Sequence, residues 1–465
     1  MSESPAPSPA ASAAANRDRF PPQIKYIVGN EACERFSYYG LAGILINYMS
    51  KQLDMGDAQA TETYHLFGTA VYFLPLVGGW LADRWLGRYW TILSISLFYC
   101  LGHGTLFLYG DTRAGVYAGL ALIAIGAGGI KPNVSAFVGD QFRPDQEHLL
   151  TKVFAWFYWA VNLGAAAAFL IIPTVRDRWG YRWAFGIPGI FMGLATLVFW
   201  LGTRHYVRQP PACRQFHHPA EVAPGRSALE QAQRTKAILG ILMVFAPIPA
   251  FWALYNQVNS TWVLQGDHMT PLYFFLGRHG PPSQSSFVLS FVLDGETMQS
   301  MGAFLVMLWV PVFTLFLYPL AERRGWRPTP LRRMAAGMLL AALSFVIVGL
   351  IQTAMDRGAT LSVLWQAVPY TILEAGEVLL SATALEFAFE QAPQGMKSVV
   401  MSLWYLVNAL GQFLIAAFTK LNEDLVHATG AWTFLFYAAL MFLCSGVFIL
   451  LAARFRPRRP AGAVA

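Results

Sequence analysis

The hydrophobic pattern of the chain is a series of apolar stretches of about 20 residues, separated by short polar connections. A stretch of this length can cross a bilayer as a single helix. The predicted spans lie near residues 24–50, 60–83, 89–109, 114–138, 151–173, 184–205, 236–264, 298–320, 331–353, 361–389, 397–420 and 431–454. The pattern therefore predicts an all-α membrane protein with twelve transmembrane helices.

The composition agrees with a membrane protein. The 465 residues are 55% hydrophobic and 13% charged, whereas a soluble protein is about 25% charged. The net charge of +7 does not indicate nucleic-acid binding, because the Lys and Arg residues lie in short loops between apolar spans. The cysteines Cys33, Cys100, Cys213 and Cys444 stand singly, without metal or redox spacing. We expect no cofactor, no metal site and no enzymatic nucleophile–base set.

The distribution of basic residues predicts the orientation in the membrane. Lys and Arg are concentrated after the second, sixth and eighth spans and in the C-terminal tail, whereas the opposite loops carry more acids. Basic loops stay on the cytoplasmic side, so both termini are predicted to be cytoplasmic in a multi-pass cell-membrane protein. The connection with Arg176 and Arg182 is an exception to this trend.

The chain also contains a repeat. Leu81-Ala82-Asp83-Arg84 follows the second span, and Leu320-Ala321-Glu322-Arg323 follows the eighth. Two six-span halves in parallel are typical of the major facilitator fold, in which the substrate site lies between the halves near midplane. The predicted parts are a disordered tail at 1–20, bundles at 21–205 and 236–456, a cytoplasmic linker at 206–235 and a cytoplasmic tail at 457–465.

The first span carries charges on one face. Glu31, Glu34, Arg35 and Tyr38 are spaced i, i+3, i+4 and i+7. An ionisable group at the bilayer centre costs about 2.5–3.5 kcal/mol and normally faces a polar cavity. The pattern indicates a proton or ion relay. The alternatives are a self-neutralising structural cluster and an outer helix end that reaches water.

Two further polar residues lie deep in the first half. Lys131 follows a glycine-rich stretch in the fourth span and needs a carboxylate partner or the loss of its proton. Glu31 and Glu34 are the candidates nearest to it in depth, and the alternative is a lysine that reaches the interface. Asn162 in the fifth span could bind substrate or a neighbouring helix.

The tenth span carries acids that have no basic counterpart nearby. Glu374 and Glu377 lie one turn apart, and Glu377 stays unmatched when Glu31 and Glu34 are balanced by the first-half bases. A zwitterion would fill a cavity between these charges. Its carboxylate would bind the bases, and its ammonium would bind Glu377.

Several motifs together carry a family resemblance. They are E-A-C-E-R-F-S-Y-Y-G from Glu31, G-G-I-K-P-N-V-S-A-F around Lys131, F-W-A-L-x-x-Q from Phe251, and G-E-x-x-x-S-x-x-x-L-E-F followed by Q-A-P-x-x-M-K-S. In this order, from Glu31 to Gly411, the chain resembles the proton-dependent oligopeptide transporter family. The resemblance implies a proton-coupled symporter that imports di- and tripeptides by alternating access and works as a monomer.

The resemblance also implies roles for single residues. Glu31 and Glu34 resemble the proton-coupling acids, which compete with the peptide carboxylate for Arg35 and Lys131. Glu377 resembles the acid that takes the peptide amino terminus, with Ser381 close to it. The other residues implied in substrate binding are Tyr38, Tyr39, Tyr72, Asn162, Trp252, Trp404 and Tyr405.

The chain departs from the family pattern at four positions. Ala42 and Asn256 stand where an arginine on the first span usually pairs with an acid on the seventh, so this outer ion pair is missing. Gly302 replaces an asparagine that is common on the eighth span. Glu374 is an extra acid, which would either titrate as a second site or face water.

Other readings of the sequence remain open. One is a transporter of another small anion or zwitterion, such as an amino acid, nitrate or a drug-like solute. Nitrate fits Glu377 poorly, because it has no ammonium group. The other is a sensor that binds peptide without moving it.

Overall fold

The computed structural model of the chain describes residues 19–211, 228–276, 289–325, 328–392 and 397–455, and these are mainly helical. The helices of the first half are α1 (Ile24–Asn47), α2 (Asp57–Leu81), α3 (Arg88–Tyr109), α4 (Arg113–Asp140) and α5 (Leu150–Leu201). Helix α5 is 52 residues long and is broken at Gly180, where φ is +80°. The two parts on either side of Gly180 correspond to the predicted fifth and sixth spans.

The second half contains shorter helical segments. They are α6 (Ala228–Phe245), α7 (Ile248–Tyr255), α8 (Thr261–Asp267), α9 (Gln299–Pro311), α10 (Tyr318–Arg323), α11 (Pro330–Asp356), α12 (Ala367–Gln391), α13 (Lys397–Leu421) and α14 (Ala431–Arg454). Segments α6, α7 and α8 follow one another along the predicted seventh span. A π-helical turn, Val312–Leu317, joins α9 to α10 within the predicted eighth span.

A β-hairpin between α8 and α9 was not predicted from the sequence. Strands β1 (Leu272–Leu276) and β2 (Leu289–Leu293) pair antiparallel, with Leu272 opposite Leu293. Both strands are short apolar runs, and such runs cannot be assigned to helix or strand by periodicity alone.

Nine helices of the described residues are long and apolar enough to cross a membrane. This set counts the two parts of α5 once and leaves out α1 and α12, which carry the deep charges. The number of twelve spans stays a prediction, because it requires both parts of α5 to be counted separately and these two helices to be added. Most of the predicted N-terminal tail, the C-terminal tail and part of the linker lie outside the described residues.

Each half has its own hydrophobic core. One core is built chiefly by α1 to α5, and the other chiefly by α6 to α14. Large apolar side chains also cover the outside, including Trp432, Leu315 and Phe316, which are 75%, 66% and 66% exposed. An apolar exterior of this kind suits contact with lipid tails rather than water.

The repeated loops of the two halves have matching geometry. Gly87 and Gly325 both adopt a left-handed backbone, with φ of +78° and +76°, which favours glycine because it lacks a Cβ. Arg88 pairs with Asp140 at 2.6 Å, and Arg333 pairs with Glu386 at 3.0 Å. The halves contact each other chiefly where α2 packs on α13 and α5 packs on α9.

Candidate functional site

The charged face of α1 forms a buried acid–base–acid triad. Nε of Arg35 lies 3.0 Å from Oε1 of Glu31, and its Nη2 lies 2.5 Å from Oε2 of Glu34. All three side chains are buried, with Glu34 completely enclosed. The helical spacing that placed these residues on one face therefore also brings the three charges into contact.

The triad is electrostatically paired but poor in aligned hydrogen bonds. Neither carboxylate oxygen of Glu34 has a hydrogen-bond partner of acceptable geometry among the described residues, and neither does Nε of Arg35. A buried polar atom left in this way carries a desolvation cost. Glu34 is thus a buried acceptor with unused hydrogen-bonding capacity among the described residues.

Lys131 lies against aromatic rings. Its Nζ is 4.1 Å from the ring centroid of Tyr38 and 4.5 Å from that of Tyr72. An ammonium over a tyrosine ring is attracted by the electron-rich face. The carboxylate partner expected from the sequence is not within ion-pair distance in the described structure. Lys131 is therefore contacted by tyrosines of α1 and α2 rather than by an acid of the described residues.

The two deep acids of α12 have no basic partner within ion-pair distance among the described residues. Oε2 of Glu374 accepts a hydrogen bond from the Tyr255 hydroxyl at 3.3 Å. Glu377 lies one turn further along α12, and Ser381 lies one turn beyond Glu377 on the same helix. Glu374 is 1% exposed and Glu377 is half-buried.

A cavity of about 110 Å³ lies between the halves. Five of the residues predicted to bind substrate line it, namely Tyr38, Tyr39, Tyr72, Asn162 and Trp252. It is also lined by Ala42, Tyr64, Ala165, Phe169, Tyr255, Asn256, Val258, Asn259, Gln299, Gly302, Ala303, Val306, Tyr370, Glu374 and Gln412. The other predicted binding residues do not line this volume, although Trp404 packs edge-on against Trp252 with ring centroids 5.3 Å apart.

Asn162 is engaged with its own helix. Its Nδ2 donates to the backbone carbonyl of Tyr158 at 2.9 Å, which is one turn earlier on α5. Asn162 lines the cavity, and among the described residues no hydrogen bond from its side chain to a neighbouring helix is found.

A buried histidine joins the two halves at the cavity and was missed from the sequence. Nδ1 of His65 on α2 lies 2.5 Å from Oε1 of Gln412 on α13, and Nε2 lies 2.7 Å from the Ser260 hydroxyl. All three side chains are buried. The available signal in the sequence was a histidine inside the predicted apolar span 60–83.

A second cross-half network lies at the end of the bundle opposite the termini, which we call the far end. Glu296 accepts from Asn47 at 2.7 Å and forms a close ion pair with Arg176. Lys51 lies 2.6 Å from Asp267. These pairs close the far end. They also give Arg176 a structural role, because this arginine pairs with a buried acid of the other half.

Comparison with known proteins identifies the family. The model of the POT family matches residues 89–225 and 212–435. The chain belongs to the POT family. Its fold is the major facilitator fold of POT family structures, which confirms the predicted fold class and family.

Relatives of this POT family member include named peptide transporters. The chain is 35% identical over 376 residues to mouse solute carrier family 15 member 2, covering 72% of this chain and 50% of the relative. It is 36% identical over 377 residues to peptide transporter family 1 of Drosophila melanogaster, covering 73% and 49%. The chain thus spans about half the length of these curated relatives.

A solved structure covers nearly the whole chain. The crystal structure of an auto-inhibited POT family peptide transporter has a TM-score of 0.83 and 36% identity, and the match covers 96% of this chain and 99% of the other. The POT family transporter PepTSo has the same TM-score at 34% identity, covering 94% and 99%.

The missing outer pair of this POT family member is replaced locally by neutral contacts. Ala42 is buried, and Nδ2 of Asn256 donates to the Trp252 carbonyl at 2.8 Å and to Asn408 at 3.3 Å. Ionic contacts between the halves lie instead at the far end, where Glu296 and Asp267 meet Arg176 and Lys51.

Proposed function

We propose that this chain imports di- and tripeptides together with protons by alternating access. The observation that carries the proposal is the difference in buried charge between the two halves. In the first half, Glu31 and Glu34 hold Arg35. In the second half, Glu374, which lines the central cavity, and Glu377 have no base within ion-pair distance among the described residues. A short peptide supplies the missing ammonium and adds a carboxylate for the first-half bases.

The first half would bind the peptide carboxylate in two steps. Lys131 rests on tyrosine rings, with no acid of the described residues within ion-pair distance, so it can meet the carboxylate first. Arg35 is held by two acids, so protonation of Glu34 or Glu31 would release its guanidinium. Guanidinium–carboxylate contacts are strong charge-assisted hydrogen bonds. Proton binding and peptide binding are therefore coupled, because each of them changes the partner of Arg35.

The second half would bind the amino terminus. Glu377 has no base within ion-pair distance among the described residues, so an incoming ammonium gains a charge-assisted contact. Tyr38, Tyr39, Tyr72 and Trp252 line the space between the two ends. Contacts to the common ends of a peptide, with aromatic walls between them, suit many side chains and favour transport over catalysis.

In the proposed conformational cycle, the far end would alternate between a closed and an open state. We assign this end to the outside, with both termini in the cytoplasm of a cell that carries the protein in its plasma or inner membrane. The closed far end then makes this structure inward-facing. Opening it requires separation of Glu296 from Arg176 and of Lys51 from Asp267. The membrane potential drives the inward movement of charge with about 2.3 kcal/mol per charge per 100 mV. The working unit in this proposal is the monomer.

Proteoliposomes test the proposal. Labelled Ala-Ala should accumulate under an inward proton gradient and a negative interior potential, and a protonophore should abolish accumulation. Glu34→Gln should keep peptide counterflow but lose accumulation, because the fixed neutral amide cannot carry a proton. Equal accumulation with and without protonophore would contradict proton coupling.

The rival functions predict other results. A sensor would bind Ala-Ala but would show neither counterflow nor accumulation. A transporter of simple anions would accumulate nitrate in place of the dipeptide.

A further inference from the structure

Two departures from the family pattern meet in space. Gly302 on α9 faces Glu374 on α12, and an ideal Cβ built on Gly302 would lie 2.7 Å from Oε1 of the carboxyl group. Such a distance is a clash, so the carboxyl group occupies the space that a side chain at position 302 would need. The extra acid and the missing side chain are therefore one structural feature.

Glu374 has no charge partner in the described structure. It is 1% exposed, and its hydrogen-bond partner there is the neutral hydroxyl of Tyr255 at 3.3 Å. No Lys, Arg or His of the described ranges lies within ion-pair distance of it. A buried carboxylate without a cation is costly, and Glu374 lines the central cavity, where a ligand can reach it.

The same cavity contains an unused donor and aromatic faces. The buried Trp252 is 6% exposed, lines the cavity, and its Nε1 has no hydrogen-bond partner among the described residues. Tyr255 packs against this indole edge-on at 5.3 Å and also lines the cavity. Aromatic rings beside a carboxylate favour a cation, and the indole N–H can donate to a ligand carbonyl.

We propose that Glu374, with Gly302 and Tyr255, forms a second cation subsite, which takes the basic side chain of a short peptide such as a lysyl or ornithyl dipeptide. This inference rests on the proposed function. Glu374 and Glu377 are three residues apart on one helix, so their side chains are neighbours. One acid takes the amino terminus and the other takes the side-chain ammonium, which the flexible stem of lysine can carry to it.

A matched pair of ligands tests the subsite. Ala-Lys and Ala-norleucine differ by the terminal ammonium, and their affinities are measured by competition against labelled Ala-Ala uptake. The wild type should prefer Ala-Lys by about tenfold, the size of a charge-assisted contact. In Glu374→Gln the ratio should fall to about one. Glu386→Gln alters an exposed acid of the same helix, paired with Arg333, and should leave the ratio unchanged.

A second variant covers the case in which Glu374→Gln does not fold. Gly302→Ala keeps the acid but places a methyl group against it, so the ratio should fall severalfold. A ratio near one in the wild type, or an equal ratio in wild type and Glu374→Gln, would overturn the subsite and would indicate a neutral carboxyl group.

The inference and the proposed function fail in different ways. If the wild type takes up no Ala-Ala, the proposed function fails. If Ala-Ala is accumulated but Ala-Lys and Ala-norleucine compete equally, the second subsite alone is wrong.

Discussion

The two halves carry their deep charges in unequal arrangements. In the first half, Arg35 lies between Glu31 and Glu34, and Lys131 rests on tyrosine rings, so two acids are matched by two bases. In the second half, Glu374 has the neutral Tyr255 hydroxyl as its partner, and no base of the described residues lies within ion-pair distance of Glu374 or Glu377.

The difference assigns separate tasks to the halves. The first half can exchange partners internally, because a proton on either acid alters the hold on Arg35. The second half cannot neutralise itself and depends on a cation from outside. Coupling to protons is thus expected in the first half and recognition of ammonium groups in the second.

Among the predictions for the two halves, replacement of Lys131 in the first half should have the largest effect. Lys131→Ala should lower dipeptide affinity about a hundredfold, because the peptide carboxylate loses a base that is not tied to an acid. The protein should remain folded, since the lost contacts are with rings of Tyr38 and Tyr72. Binding and uptake of Ala-Ala give the measurement, with size-exclusion chromatography for folding.

Lys420→Ala is the matched control, because Lys420 is exposed at the end of α13. Normal affinity in a folded Lys131→Ala protein would place the peptide carboxylate elsewhere.

Replacement of Glu377 tests the expected role of the second half in binding the peptide ammonium. Glu377→Gln should weaken Ala-Ala about tenfold, because the peptide ammonium loses its charged partner. N-acetylated Ala-Ala, which lacks the ammonium, should bind poorly to the wild type and lose little more in the variant. Measurement of both ligands on both proteins forms a double-mutant cycle, and additive effects would exclude contact between Glu377 and the amino terminus.

The sequence predicted contacts within one helix better than contacts between helices. The triad on α1 follows from helical spacing, which fixes the face of Glu31, Glu34 and Arg35. The partner of Lys131 depends on the relative placement of α1, α2 and α4, and the structure provides tyrosines instead of an acid.

Other features needed the three-dimensional arrangement altogether. The contact between Gly302 and Glu374 joins positions 72 residues apart, and His65 meets Gln412 across 347 residues. Depth along a span can be counted from the sequence, but the neighbour on the next helix depends on how the helices pack. The assignment of substrate roles to individual residues stays a prediction for the same reason.

The smallest expected effect concerns the repeated loops. It compares how much the arginine ion pair of each loop contributes to stability. Arg88 reaches both carboxylate oxygens of Asp140 from one nitrogen, at 2.6 and 2.7 Å, and lies 3.5 Å from Asp83. Arg333 makes one contact of 3.0 Å to the more exposed Glu386. Arg88→Lys should therefore lower the free energy of unfolding by about 1 kcal/mol, and Arg333→Lys by less than about 0.5 kcal/mol, as for partly exposed pairs. Thermal unfolding in detergent at low and high salt measures both losses. Equal losses would contradict the prediction, because they would mean that the two ion pairs stabilise their loops alike.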